Sequence, residues 1–267
     1  FGSSCVGSRA PRLFEVAGMR SSPSPTAGVA ASPAPSSRAI TAIILATACT
    51  AGRAAAFGAE TQGPVEVYFG CGCFWHVQHE FWDAEKTLLG RSGTEFTAFV
   101  GYAGGLAGSV DGKVCYHNNE HVAEYSSLGH AEVVRLRIPS EKFEKFAQVY
   151  VNMFLENGYR PDQVGDRGPE YRNLVGLPDG IKSPLLKKLE DASKGKLLFQ
   201  EGNGNDQDLP TIVHVMNITR FPFFIGEPYH QFHDGFARGE DYPESYSNMK
   251  ERYVNGDLIE DVGCPQP

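Results

Sequence analysis

The period of apolar and polar residues changes several times after residue 62, and each change predicts a new element. VEVYF (65–69) alternates as a strand does, and apolar residues then recur at helical spacing from Phe74 onward. TAFVGY (97–102) and HAEVVRLRI (130–138) predict two further strands. This alternation of strands and helices indicates one folded domain.

Two later helices have start signals. Ser140 precedes a helical run that we expect to end at Asn157–Gly158. Ser183 followed by Pro184 predicts a capped helix over 184–194. A proline in the first turn costs no hydrogen bond, because the first amides of a helix have no partner within it.

A strand over 211–218 and a helix over 244–254 complete the predicted order. The order β-α-β-β-α followed by further strands and helices is typical of split βαβ domains. We therefore predict an α+β fold: a two-layer, ferredoxin-like (split βαβ) mixed sheet with helices on one face and long loops.

Residues 1–59 differ in composition from the rest. They are rich in Ala, Ser, Pro, Gly and Thr, and carry five arginines against a single acid, Glu15, which is typical of an organelle transit peptide. The apolar run 39–51 is too short to span a bilayer and resembles the core of a signal peptide. We predict a largely disordered targeting segment at 1–61 and a catalytic domain with a C-terminal tail at 62–267.

The predicted destination is an organelle, first of all a plastid, with its thylakoid lumen, the mitochondrion and the secretory pathway as alternatives. A tail without any targeting role is the simpler reading of the same composition. The net charge of −8 and the absence of a Lys/Arg cluster argue against nucleic acid as a partner, and against a membrane for the mature form. Six irregularly spaced cysteines do not form the framework of a disulfide-rich mini-domain.

Cys73 and Glu132 are the first candidates for chemistry. Cys73 stands between a strand and a helix, where unpaired amides and the helix dipole favour a thiolate. Its alternative role is that of a small buried thiol. Strand alternation places Glu132 on the same face as Val134 and Leu136, and a buried carboxyl stays protonated, as a general acid must. The alternative is a solvated strand end.

Two tyrosines are weaker candidates. Tyr102 ends its strand in phase with Val100 and so faces inward, and Tyr171 lies in a loop before a strand-like stretch. Each is more often a core aromatic with its hydroxyl at the surface. Only convergence with Cys73 would make them functional.

Five motifs occur in the order and rough spacing found in the A-type peptide methionine sulfoxide reductases, which this chain therefore resembles over about residues 64–237. They are GCFW (72–75), GYAGG (101–105), GHAEVV (129–134), the D-x-G-x-x-Y of Asp166 to Tyr171, and YHQ (229–231). The resemblance implies a thiol-dependent reduction of the S epimer of methionine sulfoxide, free or protein-bound, through a cysteine sulfenic acid.

The resemblance also implies roles for single residues. Cys73 would attack the sulfur and Glu132 would donate the proton, while Tyr102 and Tyr171 would hydrogen-bond the sulfoxide oxygen. Phe74 and Trp75 would form the apolar wall that receives the S-methyl group. Asp166 and His230 would support the site.

Recycling needs a second thiol, which the family often carries in a Gly-containing C-terminal tail. The order of preference is Cys264 in DVGCPQP, then Cys115, then Cys71, because a disulfide between Cys71 and Cys73 would close a strained ring. The resemblance implies thioredoxin or another dithiol as the reductant and no cofactor or metal, and we expect a monomer.

Several residues depart from the family pattern. Cys71 and His76 stand where small residues are usual, Glu170 stands where Gln is common, and the loop 106–128 is longer. Two other functions follow from such features. One is a zinc site from Cys71, Cys73, His76 and His79, with His117 and His121 as a further pair, although these spacings do not match structural zinc sites. The other is a non-catalytic sulfoxide- or peptide-binding relative.

Overall fold

The structure, a computed structural model, describes residues 63–161, 165–235 and 242–265. The predicted targeting segment at 1–61 lies outside the described residues. The strands in chain order are β1 (Pro64–Gly70), β2 (Phe99–Ala103), β3 (Ala131–Pro139), β4 (Leu174–Leu177), β5 (Leu198–Glu201), β6 (Ile212–Asn217) and β7 (Phe224–Ile225). The helices are α1 (Phe74–Leu89), α2 (Phe143–Asn152), α3 (Pro184–Ser193) and α4 (Glu244–Lys250), the last continued by a π-helical turn, Glu251–Asn255.

Within these ranges, seven strands form one mixed sheet in the order β5-β6-β4-β1-β3-β2-β7. β1 pairs antiparallel with β3 and β4, and β2 pairs antiparallel with β3 and β7. β6 pairs parallel with β4 and β5. The predicted mixed sheet is confirmed; the finer split βαβ description stays a prediction.

One large hydrophobic cluster joins the sheet to α1, α2 and α3, which places these helices on one face. Phe69 of β1 is its centre: its ring stacks on Phe81 at 4.8 Å and lies 5.1 Å from the ring of Tyr150. The opposite face carries a smaller cluster around Tyr68 and Val133. None of the helices in the described ranges is both long enough and apolar enough to cross a membrane.

Two predicted helix boundaries can be compared directly. α3 begins as expected, with the Ser183 side chain accepting from the Leu185 amide. For the helix predicted to follow Ser140, both ends were wrong: a 3₁₀ turn occupies Ser140–Lys142, and α2 ends at Asn152 instead of Asn157–Gly158. Met153 and Phe154 remain buried after the helix stops, so the apolar period outlasts the helix.

Candidate active site

The turn between β1 and α1 sets the position of Cys73. Gly72 adopts a φ of 81°, a left-handed conformation that costs glycine little, and its amide donates to the Tyr171 carbonyl at 3.0 Å. Cys73 is the N-cap of α1, carries a thiol rather than a disulfide, and is 4% exposed. Cys73 thus stands at the start of α1, the position along the chain that the sequence predicts.

Glu132 lies opposite this helix start. Its carboxyl accepts from the Phe74 amide at 2.9 Å, and only 2% of the residue is exposed. Burial raises the pKa of Glu132 well above its usual value; the Phe74 hydrogen bond opposes this, and the negative charges of Asp166 and Glu170 add to it. The inward orientation predicted from strand alternation is confirmed, and burial favours the acid form of the group.

A small cavity brings most of the predicted residues together. Its volume is about 10 Å³, close to the space that one water needs. Its walls are Cys73, Phe74, Trp75, Tyr116, Glu132, Asp166 and Tyr171. Six of these seven residues were predicted from the sequence, and Tyr116 was not.

Tyr102 is buried as predicted but does not line this cavity. Its hydroxyl donates to Glu227 Oε2 at 2.7 Å, and its ring stacks on Tyr125 at 4.7 Å. Burial raises the pKa of Tyr102 well above its usual value, and the Glu227 charge raises it further. In this structure the hydroxyl that was expected to meet a sulfoxide oxygen is committed to Glu227.

His230 also lies outside the cavity lining and supports its aromatic wall from behind. Its ring is 5.2 Å from Phe74, 5.7 Å from Trp75 and 4.5 Å from Tyr116, measured between centroids. Burial lowers the pKa of His230 to about 3, with help from His233 and Lys250. The imidazole is therefore neutral at ordinary pH.

The long loop between β2 and β3 supplies residues that sequence reasoning missed. The Tyr125 hydroxyl lies 3.4 Å from Glu132 Oε1 and 3.0 Å from Glu170 Oε2, and His117 Nε2 lies 2.9 Å from the same Glu170 oxygen. A protonated Glu132 can donate to the Tyr125 oxygen while the Tyr125 hydroxyl donates to Glu170. The signals in the sequence were the unusual Glu170 and the extra length of the loop.

The cysteines divide into a reduced pair and a bonded pair. Cys115 and Cys264 form a disulfide with their Cα atoms 5.7 Å apart, whereas Cys71 and Cys73 are reduced. Burial raises the pKa of Cys71 to about 12, and its sulfur lies 3.5 Å from that of Met153. The role of Cys264 in resolving Cys73 stays a prediction, since its sulfur is bonded to Cys115 here.

The zinc site predicted as an alternative is not assembled in the described ranges. The one group of His, Cys, Asp and Glu side chains there with metal-binding proximity is Cys115, Glu227 and Cys264. His79 instead stacks on Tyr242 at 3.8 Å, His117 contacts Glu170, and His121 contacts Glu124. The geometry therefore gives the C-x-C-x-x-H-x-x-H spacing no support as a metal site.

Comparison with known proteins finds relatives that share one name. The peptide methionine sulfoxide reductase MsrA of Pseudomonas aeruginosa (strain PAO1) is 30% identical over 174 residues, which are 63% of this chain and 68% of that protein. The MsrA of Corynebacterium efficiens is 29% identical over 175 residues, 64% of this chain and 69% of that protein. The MsrA of Vibrio vulnificus is 27% identical over 178 residues, 64% and 71% of the two chains.

Solved structures give similarities with low scores. Methionine sulfoxide reductase A of Corynebacterium diphtheriae aligns with a TM-score of 0.36 and 17% identity, over 63% of this chain and 73% of that one. Reduced Mxr1 from Saccharomyces cerevisiae aligns with a TM-score of 0.37 and 20% identity, over 64% and 84%. Scores this low support no conclusion about the site. No protein-family model matches the chain.

Proposed function

Since the chain belongs to the peptide methionine sulfoxide reductase A family, we propose that it is the oxidoreductase that reduces methionine S-sulfoxide, free or within proteins, to methionine. The observation that carries the proposal is the shared cavity of Cys73 and Glu132. The Phe74 amide donates to Glu132 from the residue next to Cys73, so the nucleophile and the acid are coupled through the same helix start.

The chemistry follows from these two groups. The Cys73 thiolate attacks the sulfoxide sulfur while Glu132 protonates the oxygen, so that the S–O bond breaks without expelling a bare oxide. The attack forms a bond between the Cys73 sulfur and the methionine sulfur, and that bond breaks when the protonated oxygen passes to the Cys73 sulfur and methionine is released. Cys73 becomes a sulfenic acid, oxidised by two electrons, and the methionine sulfur is reduced by two. The proton lost when Cys73 ionises balances the proton that Glu132 donates.

The dimensions of the cavity fit the polar end of this substrate. A volume of about 10 Å³ suits a single oxygen atom beside Glu132 and Tyr171. Phe74 and Trp75 form the apolar side that would receive the S-methyl group. Tyr102 does not line the cavity; it would position Tyr125, on which its ring stacks, while its hydroxyl donates to Glu227.

The two remaining cysteines supply a route for recycling. In the reduced protein, the Cys264 thiol would attack the sulfenic acid of Cys73, releasing water and forming a Cys73–Cys264 disulfide. The Cys115 thiol would then attack Cys264 and release Cys73, which leaves the Cys115–Cys264 disulfide. Thioredoxin or another dithiol would reduce that bond and close the cycle, with no metal or other cofactor.

The test is steady-state reduction of both epimers of a methyl sulfoxide by the protein lacking residues 1–61, with a dithiol and without. We expect turnover of the S epimer only, and turnover that needs the dithiol. Cys73→Ser should abolish the reaction while Cys71→Ser, the matched change two residues away, retains it. Reduction by Cys73→Ser, or none by the parent, would end this proposal.

Two further proposals concern the sheet and the N-terminal residues. We propose that the central order β4-β1-β3-β2, antiparallel throughout, is the ferredoxin-like part of the sheet, with β5, β6 and β7 as additions. We also propose that residues 1–61 direct the chain to an organelle, on the strength of their arginine-rich, acid-poor composition. Imaging of a fluorescent protein fused to these residues tests the second point.

A further inference from the structure

Three potential metal ligands meet beside the active site, on segments far apart in the sequence. Cys115 lies in the loop between β2 and β3, Glu227 follows β7, and Cys264 belongs to the C-terminal tail. One ligand atom from each lies within 4.8 Å of the other two. Two thiolates and a carboxylate form a donor set that Zn²⁺ prefers.

Glu227 is held in place by groups that leave it able to bind a cation. Its Oε2 accepts from the Tyr102 hydroxyl at 2.7 Å, and its Oε1 accepts from the Tyr116 amide at 2.6 Å. Each carboxylate oxygen has a second lone pair, and hydrogen bonds of this kind orient a ligating carboxylate. Only 15% of the side chain is exposed, so a charge there gains from a nearby cation.

Both cysteines have backbone restraints that do not depend on the disulfide. The Cys115 amide donates to the Ala123 carbonyl, and its carbonyl accepts from the Tyr125 amide, both at 2.8 Å. In the tail, the Lys113 side chain donates to the Gly263 carbonyl at 2.7 Å. After reduction the two thiols would therefore stay close together, near the spacing that a common metal ion requires.

A cavity next to this group has room for a solvent ligand. It encloses about 140 Å³ and is lined by Glu227 and Cys264 among others, including His230. His230 Nε2 is 4.0 Å from Glu227 Oε2. Three protein ligands and a water would complete the four-coordinate geometry of zinc.

We propose that the reduced protein binds one Zn²⁺ through Cys115, Glu227 and Cys264, and that the disulfide form does not. A dithiol supplies two electrons and two protons to convert the disulfide into two thiols, and is itself oxidised to a disulfide. Binding of Zn²⁺ then releases the two thiol protons to solvent. The site is distinct from the Cys71/Cys73 cluster; it uses the two thiols that the proposed function assigns to recycling, but Zn²⁺ binding is measured here without turnover.

The experiment titrates the protein with Co²⁺ as a spectroscopic substitute and with Zn²⁺ alone, before and after reduction by a dithiol that is then removed without air. Cys73→Ser serves as the parent, so that the reactive thiol does not contribute. We expect thiolate-to-cobalt absorbance and one Zn²⁺ per chain in the reduced form only. Equal binding by the oxidised form, or none by the reduced form, would overturn the proposal.

Variants then assign the ligands. Cys115→Ser and Cys264→Ser should each remove the thiolate-to-cobalt band of the two-thiolate site, and Glu227→Gln should weaken Zn²⁺ binding by about tenfold or more. Glu260→Gln, the same change at an exposed tail position, should leave the affinity unchanged. Since the oxidised and reduced parent have one sequence, their comparison stands even where a variant folds poorly. An unaltered spectrum in Cys115→Ser would show that the metal binds elsewhere.

Discussion

Replacement of Glu170 by Gln should move the pH range over which the enzyme works. Glu170 lies on the far side of Tyr125 from Glu132, and its negative charge is one of the causes that raise the pKa of Glu132. Glu132 must be protonated to act as the proposed general acid, so the rate should fall as pH rises through its pKa. Removing the Glu170 charge lowers the pKa and should shift the alkaline limb to lower pH.

The size of the shift follows from the geometry. Because the Tyr125 oxygen is 3.4 Å from Glu132 Oε1 and 3.0 Å from Glu170 Oε2, the two carboxyl oxygens are at most about 6.4 Å apart. Coulomb's law gives about 0.6 kcal/mol at that distance in water and about 2.6 kcal/mol at the effective dielectric constant of a protein surface. These energies correspond to shifts of about 0.5 to 2 pH units.

The assay is kcat/KM for S-sulfoxide reduction as a function of pH, which reports ionisations of the free enzyme. Glutamine keeps an oxygen that can accept from Tyr125 or His117, so the fold should persist. Glu120→Gln, the same change at an exposed position of the loop between β2 and β3, is the control. An alkaline limb that stays in place, moves upward, or moves equally in the control would refute the electrostatic reasoning.

Three further predictions concern the acid, the tail and the core. The Glu132→Gln variant should lose about 100-fold or more in kcat. Its melting temperature relative to that of the parent should rise between pH 5 and pH 8, because a carboxyl whose folded pKa is raised loses its stabilising contribution as pH increases. Equal melting-temperature differences at both pH values would contradict this. Cys264→Ser should complete one stoichiometric turnover without recycling, and loss of its long-range disulfide should lower the free energy of unfolding by about 2–4 kcal/mol, checked by mass spectrometry of the product and by denaturant unfolding. Phe69→Ala should cost about 3–5 kcal/mol in the same unfolding assay, because it removes a buried ring that packs on Phe81 and Tyr150; a cost near zero would mean that the core is not organised around that ring.

Local periodicity was enough to predict the central part of the fold and the orientation of the site residues. Phe74, Val77 and Phe81 are buried along α1, and Glu132 is buried in β3, as their spacing requires. These positions follow from the periods of a helix and a strand, which are properties of the backbone. The sequence did not predict β7 and β5, because neither has a regular apolar period. β7 has two residues, and β5 carries Leu198 with 63% of its surface exposed.

Contacts between segments far apart in the chain could not be predicted from the sequence. Strand alternation gave the correct face for Tyr102 but not the partner of its hydroxyl, Glu227, which is 125 positions away. In the same way, the spacing of Cys115 and Cys264 does not reveal that they form a disulfide. The direction of a side chain is set locally, whereas its hydrogen-bond partner depends on how loops pack over the sheet.

The start of α1 favours a negative charge on two neighbouring groups, and burial and the surrounding charges then separate the two. Its first amides and dipole favour a negative charge on Cys73 and also on Glu132, which accepts directly from Phe74. If both ionised, two anions would share one small cavity and no proton donor would remain. Burial and the nearby charges of Asp166 and Glu170 favour the acid form of Glu132, and a thiolate on Cys73 would favour it further. Formation of the nucleophile would therefore itself help to keep the acid protonated.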